Sequence, residues 1–308
     1  MKPEQLRKKL SGVIAFPVTP FNSDFSLDIP GLRRNLRVLL EHPLAAIVAA
    51  GGTGEIYSLT PAEHLAVVEA TVEEAKGKVP VISGTGFNLP IAVQLAQQAA
   101  KAGADAILAL PPYYPQADEE GLADYYAAIG AATPLGMIVY SRDWVNPSPE
   151  WVEKLASKVP TLFAWKEGQG DIRRYMQIMN RLGDRLHWIG GAGDDCVPGY
   201  YSIGIRVYTS SIATIAPKLS LELHDAASAG DRARLDELMR RYVVPLYVLR
   251  ARRKGYEVTV MKEVMKRIGL AAGPVRPPLA NLRPHELREV EELIQDWSAV
   301  FSSEVLVS

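Results

Sequence analysis

The sequence has little that would tie it to an oxidising compartment, a membrane or a nucleic acid. Cys196 is its one cysteine, so no internal disulfide can form, which fits a reducing cytoplasm. No run reaches the roughly 18 apolar residues that a membrane-spanning helix needs. Neither sign of charge dominates: 34 Lys and Arg stand against 35 Asp and Glu. Such a balance gives no electrostatic footprint for nucleic acid or an anionic membrane surface. The first residues, MKPEQLRKKLSG, are charged and lack the apolar core of a secretory signal. The five histidines, at 42, 64, 187, 224 and 285, show no ligand spacing, so no metal is expected. Asp194 and Asp195 do not change this, because nothing completes a site around them; they suit the start of a helix. Cys196 has no histidine near it in sequence, and a buried structural cysteine is the simpler expectation. No Walker or dinucleotide fingerprint, sequence repeat, low-complexity tract or flexible linker is present.

What is present is an alternation. Short apolar runs at Val13–Phe16, Ala45–Ala50, Val79–Ser83, Ala106–Leu110, Gly136–Tyr140, Leu162–Lys166, Leu186–Gly190 and Arg206–Ser210 read as strands. Helical periodicity separates them: Ile172, Tyr175, Met176, Met179 and Leu182 fall on one face. Thr60-Pro61-Ala62-Glu63 carries a cap, an N1 proline and a capping box. Strand–helix alternation implies parallel strands with right-handed crossovers. Eight such units in 308 residues predict an α/β fold, a closed (β/α)₈ TIM barrel. After Ser210 the pattern turns helical, over Leu219–Ala227, Arg232–Val248, Val258–Ile268 and Pro284–Val300. The expected division is a barrel over 1–230 and a C-terminal helical extension packed on it over 231–308.

Reactive residues in such barrels sit where strands end. Lys166 ends the run Leu162-Phe163-Ala164-Trp165. An ammonium there would be partly desolvated, its pKa would fall, and a neutral amine can form a Schiff base with a ketone. The alternative is a lysine that snorkels to water. The second run ends in Gly51-Gly52-Thr53-Gly54-Glu55, whose amides and hydroxyl suit a carboxylate or phosphate oxygen, or else form a plain tight turn. Tyr113 and Tyr114 lie among prolines, on the rim or at a subunit contact. Tyr140 ends the fifth run, where a phenol can relay a proton to a group on Lys166 or simply pack in the core. Arg142 suits a substrate carboxylate or a pair with Asp143. Ser210 and Ser211 suit substrate hydroxyls or a helix cap.

Phe16-Pro17-Val18-Thr19-Pro20-Phe21, the GGTGE loop, Pro111-Pro112-Tyr113-Tyr114, Tyr140 and Lys166 occur in one order over nearly the whole chain. This resembles the dihydrodipicolinate synthase / N-acetylneuraminate lyase family of Schiff-base barrels. The resemblance implies a homotetramer that forms an imine between Lys166 and a 2-keto acid, with no other cofactor. It implies proton relay by Tyr140, carboxylate binding by Thr53 and the Gly52 backbone, and Tyr114 at the rim. The synthase and many aldolases have two threonines in that loop; Gly52 replaces the first, and Val145 stands near the place of an arginine of the synthase. Tyr140-Ser141-Arg142-Asp143, Lys166-Glu167-Gly168-Gln169-Gly170-Asp171, Tyr208-Thr209-Ser210-Ser211, Arg252-Arg253-Lys254-Gly255-Tyr256 and Gly273-Pro274-Val275-Arg276-Pro277-Pro278 are similar to the 5-dehydro-4-deoxyglucarate dehydratase branch. That branch implies a keto sugar acid substrate and loss of water and carbon dioxide; the single cysteine gives the expectation of a cytoplasmic location. An aldolase releasing pyruvate from a 2-keto-3-deoxy sugar acid, a dihydrodipicolinate synthase-like enzyme and a non-catalytic barrel remain as alternatives. Binding alone would need neither Lys166 nor Tyr140.

Overall fold

The computed structural model describes residues 1–295, 297 and 299–301. Its strands are β1 Gly12–Ala15, β2 Ala46–Ala49, β3 Val81–Phe87, β4 Ala106–Pro112, β5 Gly136–Ser141, β6 Leu162–Glu167, β7 His187–Gly190 and β8 Val207–Ser210. They run parallel in sequence order, and β1 closes on β8 from Gly12↔Val207 to Ala15↔Ser210. The result is a (β/α)₈ TIM barrel with helices after its last strand.

The two-residue period of a strand decides what each side chain meets. Ile14, Val48, Ile82, Leu108, Ile138, Ala164, Ile189 and Val207 form one cluster that fills the lumen. Their neighbours Val13, Ile47, Val81, Ile107, Val139, Trp165 and Tyr208 belong to the outer layer beneath the helices. Each buried Val, Leu or Ile contributes about 1.5–3 kcal/mol, so a one-residue slip in register would be costly. The same parity carries Tyr140, Lys166 and Thr209 inward, each two residues beyond a lumen residue. Leu6 and Leu10, in and just after the helix Pro3–Lys9, join the lumen cluster from the end where the strands begin.

Side-chain caps start the outer helices. Thr60 and Glu63 form the expected box, with Glu63 N donating to Thr60 Oγ1 at 3.2 Å and Thr60 N donating to Glu63 Oε2 at 2.9 Å. Asn88, Asp118, Ser148 and Asp171 cap the helices that follow β3 to β6. No described helix is long and apolar enough to cross a membrane.

Most boundaries fall within two residues of the sequence reading, and three elements differ by more. β3 continues past Ser83 through Gly84-Thr85-Gly86 to Phe87, because pairing with Leu108 and Ala109 of β4 overrides the glycines. The helix expected over Arg232–Val248 is broken into Arg232–Leu238, a π-turn Met239–Val243 and Val244–Arg250. Pro245, with no N–H to give the preceding turn, sits just past that widening. The last helix ends at Gln295, and 297 and 299–301 lie in turns. Residues 296, 298 and 302–308 of the expected extension lie outside the described residues. The extension is fastened to the barrel by a buried ion pair, Lys262 Nζ to Glu55 Oε1 at 2.5 Å.

Candidate active site

A cavity of about 330 Å³ opens at the C-terminal ends of the strands. Lys166 comes in from β6 and is 3% exposed. Its Nζ donates to Gly191 O at 2.9 Å and lies 3.1 Å from the centre of the Tyr140 ring and 5.0 Å from that of Phe16. Gly191 makes room for this: a Cβ there would stand 2.4 Å from both Lys166 Cγ and Glu167 O. Tyr140 donates its hydroxyl to the same Gly191 carbonyl at 3.1 Å. One carbonyl therefore gathers the amine and the phenol.

No carboxylate forms an ion pair with Lys166 among the described residues. Burial holds its ammonium well below the ordinary value of 10.5, and the Arg142 charge pushes the same way against the weaker pull of Glu167. Burial raises the Tyr140 phenol instead, so its proton is retained near neutrality. The pair thus sets an amine whose neutral form burial favours beside a hydroxyl able to donate, as carbinolamine formation requires. Glu167, next to Lys166, is occupied elsewhere: it accepts from the amides of Gln169 at 2.5 Å and Gly170 at 3.1 Å and from Tyr200 Oη at 2.5 Å.

The loop after β2 supplies Gly52 and Thr53 to the cavity. It is bracketed by two non-glycine residues in the left-handed region, Ala50 at φ 49° and Glu55 at φ 55°. Such backbone persists where surrounding contacts enforce it. Glu55 has those contacts in Lys262 and in the amide of Arg276, which donates to Glu55 Oε2 at 3.1 Å. Arg142 makes the expected pair with Asp143 and also borders the cavity. Its Nε donates to Asp143 Oδ2 at 2.8 Å, and its guanidinium still lines the cavity. It reaches the space that a side chain at Gly52 would fill, since a Cβ there would stand 3.0 Å from Arg142 Nη1.

The structure brings Lys166, Tyr140, Gly52, Thr53, Arg142 and Ser211 to one cavity. Three other expected residues are placed elsewhere. Ser210 faces outward with Tyr208, where its hydroxyl bonds Asp194 and Ser220; Thr209 and Ser211 line the cavity in its place. Gly51 is buried against Phe16 and Val48. Tyr114 is 58% exposed and donates to Gln116 at 3.1 Å, away from the cavity. Asp194 is held by Ser210 and Tyr247. No group of three or more His, Cys, Asp or Glu side chains suited to a metal occurs among the described residues. The Cys196 thiol is pushed up to about 12, chiefly by burial and then by the Asp195 and Glu167 charges, and is a poor nucleophile.

The sequence reading missed the wall built by the extension. Tyr247, Arg250, Glu257 and Val258 line the cavity from there, and Tyr57 lines it from beyond the GGTGE loop. Strand-end logic had no means to select residues on helices that follow the barrel. The nearest signal was the Arg252-Arg253-Lys254-Gly255-Tyr256 motif, which begins two residues past Arg250.

Comparison with known proteins gives the family. The profile of the Dihydrodipicolinate synthetase family matches residues 9–297. A probable 5-dehydro-4-deoxyglucarate dehydratase of Bradyrhizobium diazoefficiens is 39% identical over 307 residues, 99% of this chain and 98% of that protein. A protein of the same name from Ralstonia nicotianae is 41% identical over 286 residues, 92% of each chain. The crystal structure of dihydrodipicolinate synthase from Oceanobacillus iheyensis superposes with a TM-score of 0.91 at 29% identity, over 97% of this chain and all of that one. With the family profile covering most of its length and a lysine and tyrosine meeting at the mouth of a closed barrel, this chain belongs to the dihydrodipicolinate synthetase family.

Proposed function

We propose that the protein is a Schiff-base lyase that dehydrates and decarboxylates 5-dehydro-4-deoxyglucarate to 2,5-dioxopentanoate. The observation that carries the chemistry is the buried, unpaired Lys166 amine beside Tyr140 and the Gly52-Thr53 loop. The relatives at 39–41% identity supply the choice of substrate.

Lys166 attacks the keto carbon with its lone pair. Tyr140 gives a proton to the oxygen that leaves as water, and an iminium remains. Thr53 and the Gly52 backbone hold the adjoining carboxylate. Arg142 stands at Gly52 and serves this end of the substrate. The iminium acidifies the next carbon; the proton lost there and the hydroxyl on the following carbon leave as water. Tyr140, helped by water or the substrate's own carboxylate, moves that proton. Tautomerisation turns the remaining hydroxyl carbon into a ketone, and its conjugation takes up the electron pair of the breaking carboxylate bond. A proton replaces the lost carbon dioxide, and hydrolysis of the imine frees an aldehyde and the lysine. Thr209 and Ser211 suit the substrate hydroxyls.

A cytoplasmic homotetramer is part of the same proposal. The exposed rings of Tyr113 and Tyr114 support a subunit contact on that rim.

Turnover of 5-dehydro-4-deoxyglucarate, with gas evolution and pyruvate followed together, tests the reaction. One carbon dioxide per substrate and no pyruvate is the expected result. Pyruvate without gas would make the enzyme an aldolase.

A further inference from the structure

We propose that Arg250 binds the carboxylate remote from the imine carbon, so that the cavity selects keto sugar acids with an acidic group at both ends. This rests on the reaction above and adds the side chain that chooses its substrate.

Arg250 ends the helix Val244–Arg250 and lines the cavity while only 9% exposed. Its Nε and Nη1 are shut off from solvent and meet no acceptor, and Arg250 forms no ion pair among the described residues. A buried donor without an acceptor is destabilising, and more so when charged. Buried charges are ordinarily paired. The protein supplies a ring face, 4.3 Å from the guanidinium to the centre of the Tyr247 ring, and the nearby charges of Asp194 and Asp195, which act on Arg250 without forming an ion pair with it.

That ring is itself fixed. Tyr247 Oη donates to Asp194 Oδ2 at 2.9 Å and accepts from Asp194 N at 2.7 Å. The other oxygen of Asp194 accepts from Ser210. Ser210 therefore serves the site from behind, by setting the aspartate that sets the tyrosine under Arg250. The guanidinium is oriented by the Tyr247 ring, and with Nε and Nη1 shut off from solvent it is Nη2 that remains to meet a ligand carboxylate at the cavity wall.

The two cavity arginines differ in a way that matches the two carboxylates. Arg142 stands beside Gly52 and shares its fork with Asp143. Arg250 stands on the extension's wall with its fork unshared. The imine carbon finishes as an aldehyde, so the carboxylate beside it is the one that leaves. The remote carboxylate stays through to product. A contact kept unchanged through the reaction is uniform binding, and its loss appears in KM before kcat.

The test is Arg250→Gln assayed on 5-dehydro-4-deoxyglucarate and on 2-dehydro-3-deoxygluconate, whose far end is a hydroxymethyl group. Borohydride trapping with pyruvate, which has no remote carboxylate, reads the lysine chemistry independently. The variant is expected to raise KM for the dicarboxylate on the order of 30-fold, from the worth of a charged hydrogen bond. The expected kcat stays within a few-fold, the preference for the dicarboxylate is erased, and the pyruvate adduct on Lys166 forms as in the parent. A dicarboxylate KM within about threefold of the parent, with trapping intact, would overturn the assignment. If the glutamine variant does not fold, Arg250→Lys keeps the charge without the fork and is expected to raise KM about tenfold; an unchanged KM there overturns it equally. Failure of the parent enzyme to trap pyruvate would overturn the reaction itself, and this assignment with it.

Discussion

Lys166 at the end of β6 and Lys262 in the helix Tyr256–Arg267 are 3% and 1% exposed. Each lies against an aromatic ring and donates to a backbone carbonyl at 2.9 Å, Gly191 O for one and Pro274 O for the other. The difference is a carboxylate. Lys262 has Glu55 at 2.5 Å, whereas Lys166 has none. Burial lowers both lysines, but Glu55 opposes it at Lys262 and leaves that group at about 8, so it is mostly charged near neutrality. Lys166 is pushed well below its ordinary value with an arginine nearby and only a weak counter-pull. One pocket wall and one structural seam thus shift the same side chain unequally, favouring the neutral amine far more at Lys166 than at Lys262. A single counter-ion decides between nucleophile and clamp.

Removing each amine in turn is the strongest way to break this comparison. Lys166→Met is expected to lower turnover on the order of 10⁴-fold or more, as loss of a covalent nucleophile does. It is also expected to stabilise the fold. Between the depressed folded pKa and 10.5 the unfolded chain holds more protons at this lysine than the native one. Native stability therefore rises with pH across that window in the parent. The stabilisation by methionine should be largest below the folded pKa and fade as pH approaches 10.5, which urea unfolding at several pH values would show. A methionine variant no more stable than the parent at any pH below 10.5 would mean that the folded protein does not depress the Lys166 amine.

Lys262→Met is expected to do the reverse. It leaves Glu55 buried without its counter-charge and should cost roughly 3–5 kcal/mol. Adding Glu55→Gln should recover most of that loss, because the pair is coupled. Full additivity of the two changes in denaturant unfolding would contradict the clamp.

The smallest effect is expected where the two cavity ends are compared through Gly52. Gly52→Ala sets a Cβ 3.0 Å from Arg142 Nη1, the movable end of a long side chain. Stability should stay within about 0.5 kcal/mol, while KM should rise a few-fold as Arg142 gives way. No change in KM would mean that Arg142 does not serve that end of the substrate.

The barrel was legible because its strands are short, apolar and separated by helical periodicity. Lys166 and Tyr140 were legible because each ends a run, and a lumen residue two positions earlier confirms the facing. Ser210 shows the same rule unused: Val207 fills the lumen, so parity favours Thr209 and turns Ser210 outward. β3 was cut short because Gly84 and Gly86 weaken a strand in isolation, and only the pairing with β4 restores it. Arg250 and Lys262 had no signature at all. Both act from helices beyond the barrel, and their burial depends on how the extension folds back over the strand ends, which no local pattern records.

Borohydride reduction in the presence of keto acid substrate, followed by intact mass and peptide mapping, tests the contrast between the two lysines most directly. One adduct per chain, on the peptide that contains Lys166, with Lys262 unmodified, is the predicted result. An adduct on Lys262 or another lysine, or none while turnover proceeds, would contradict it.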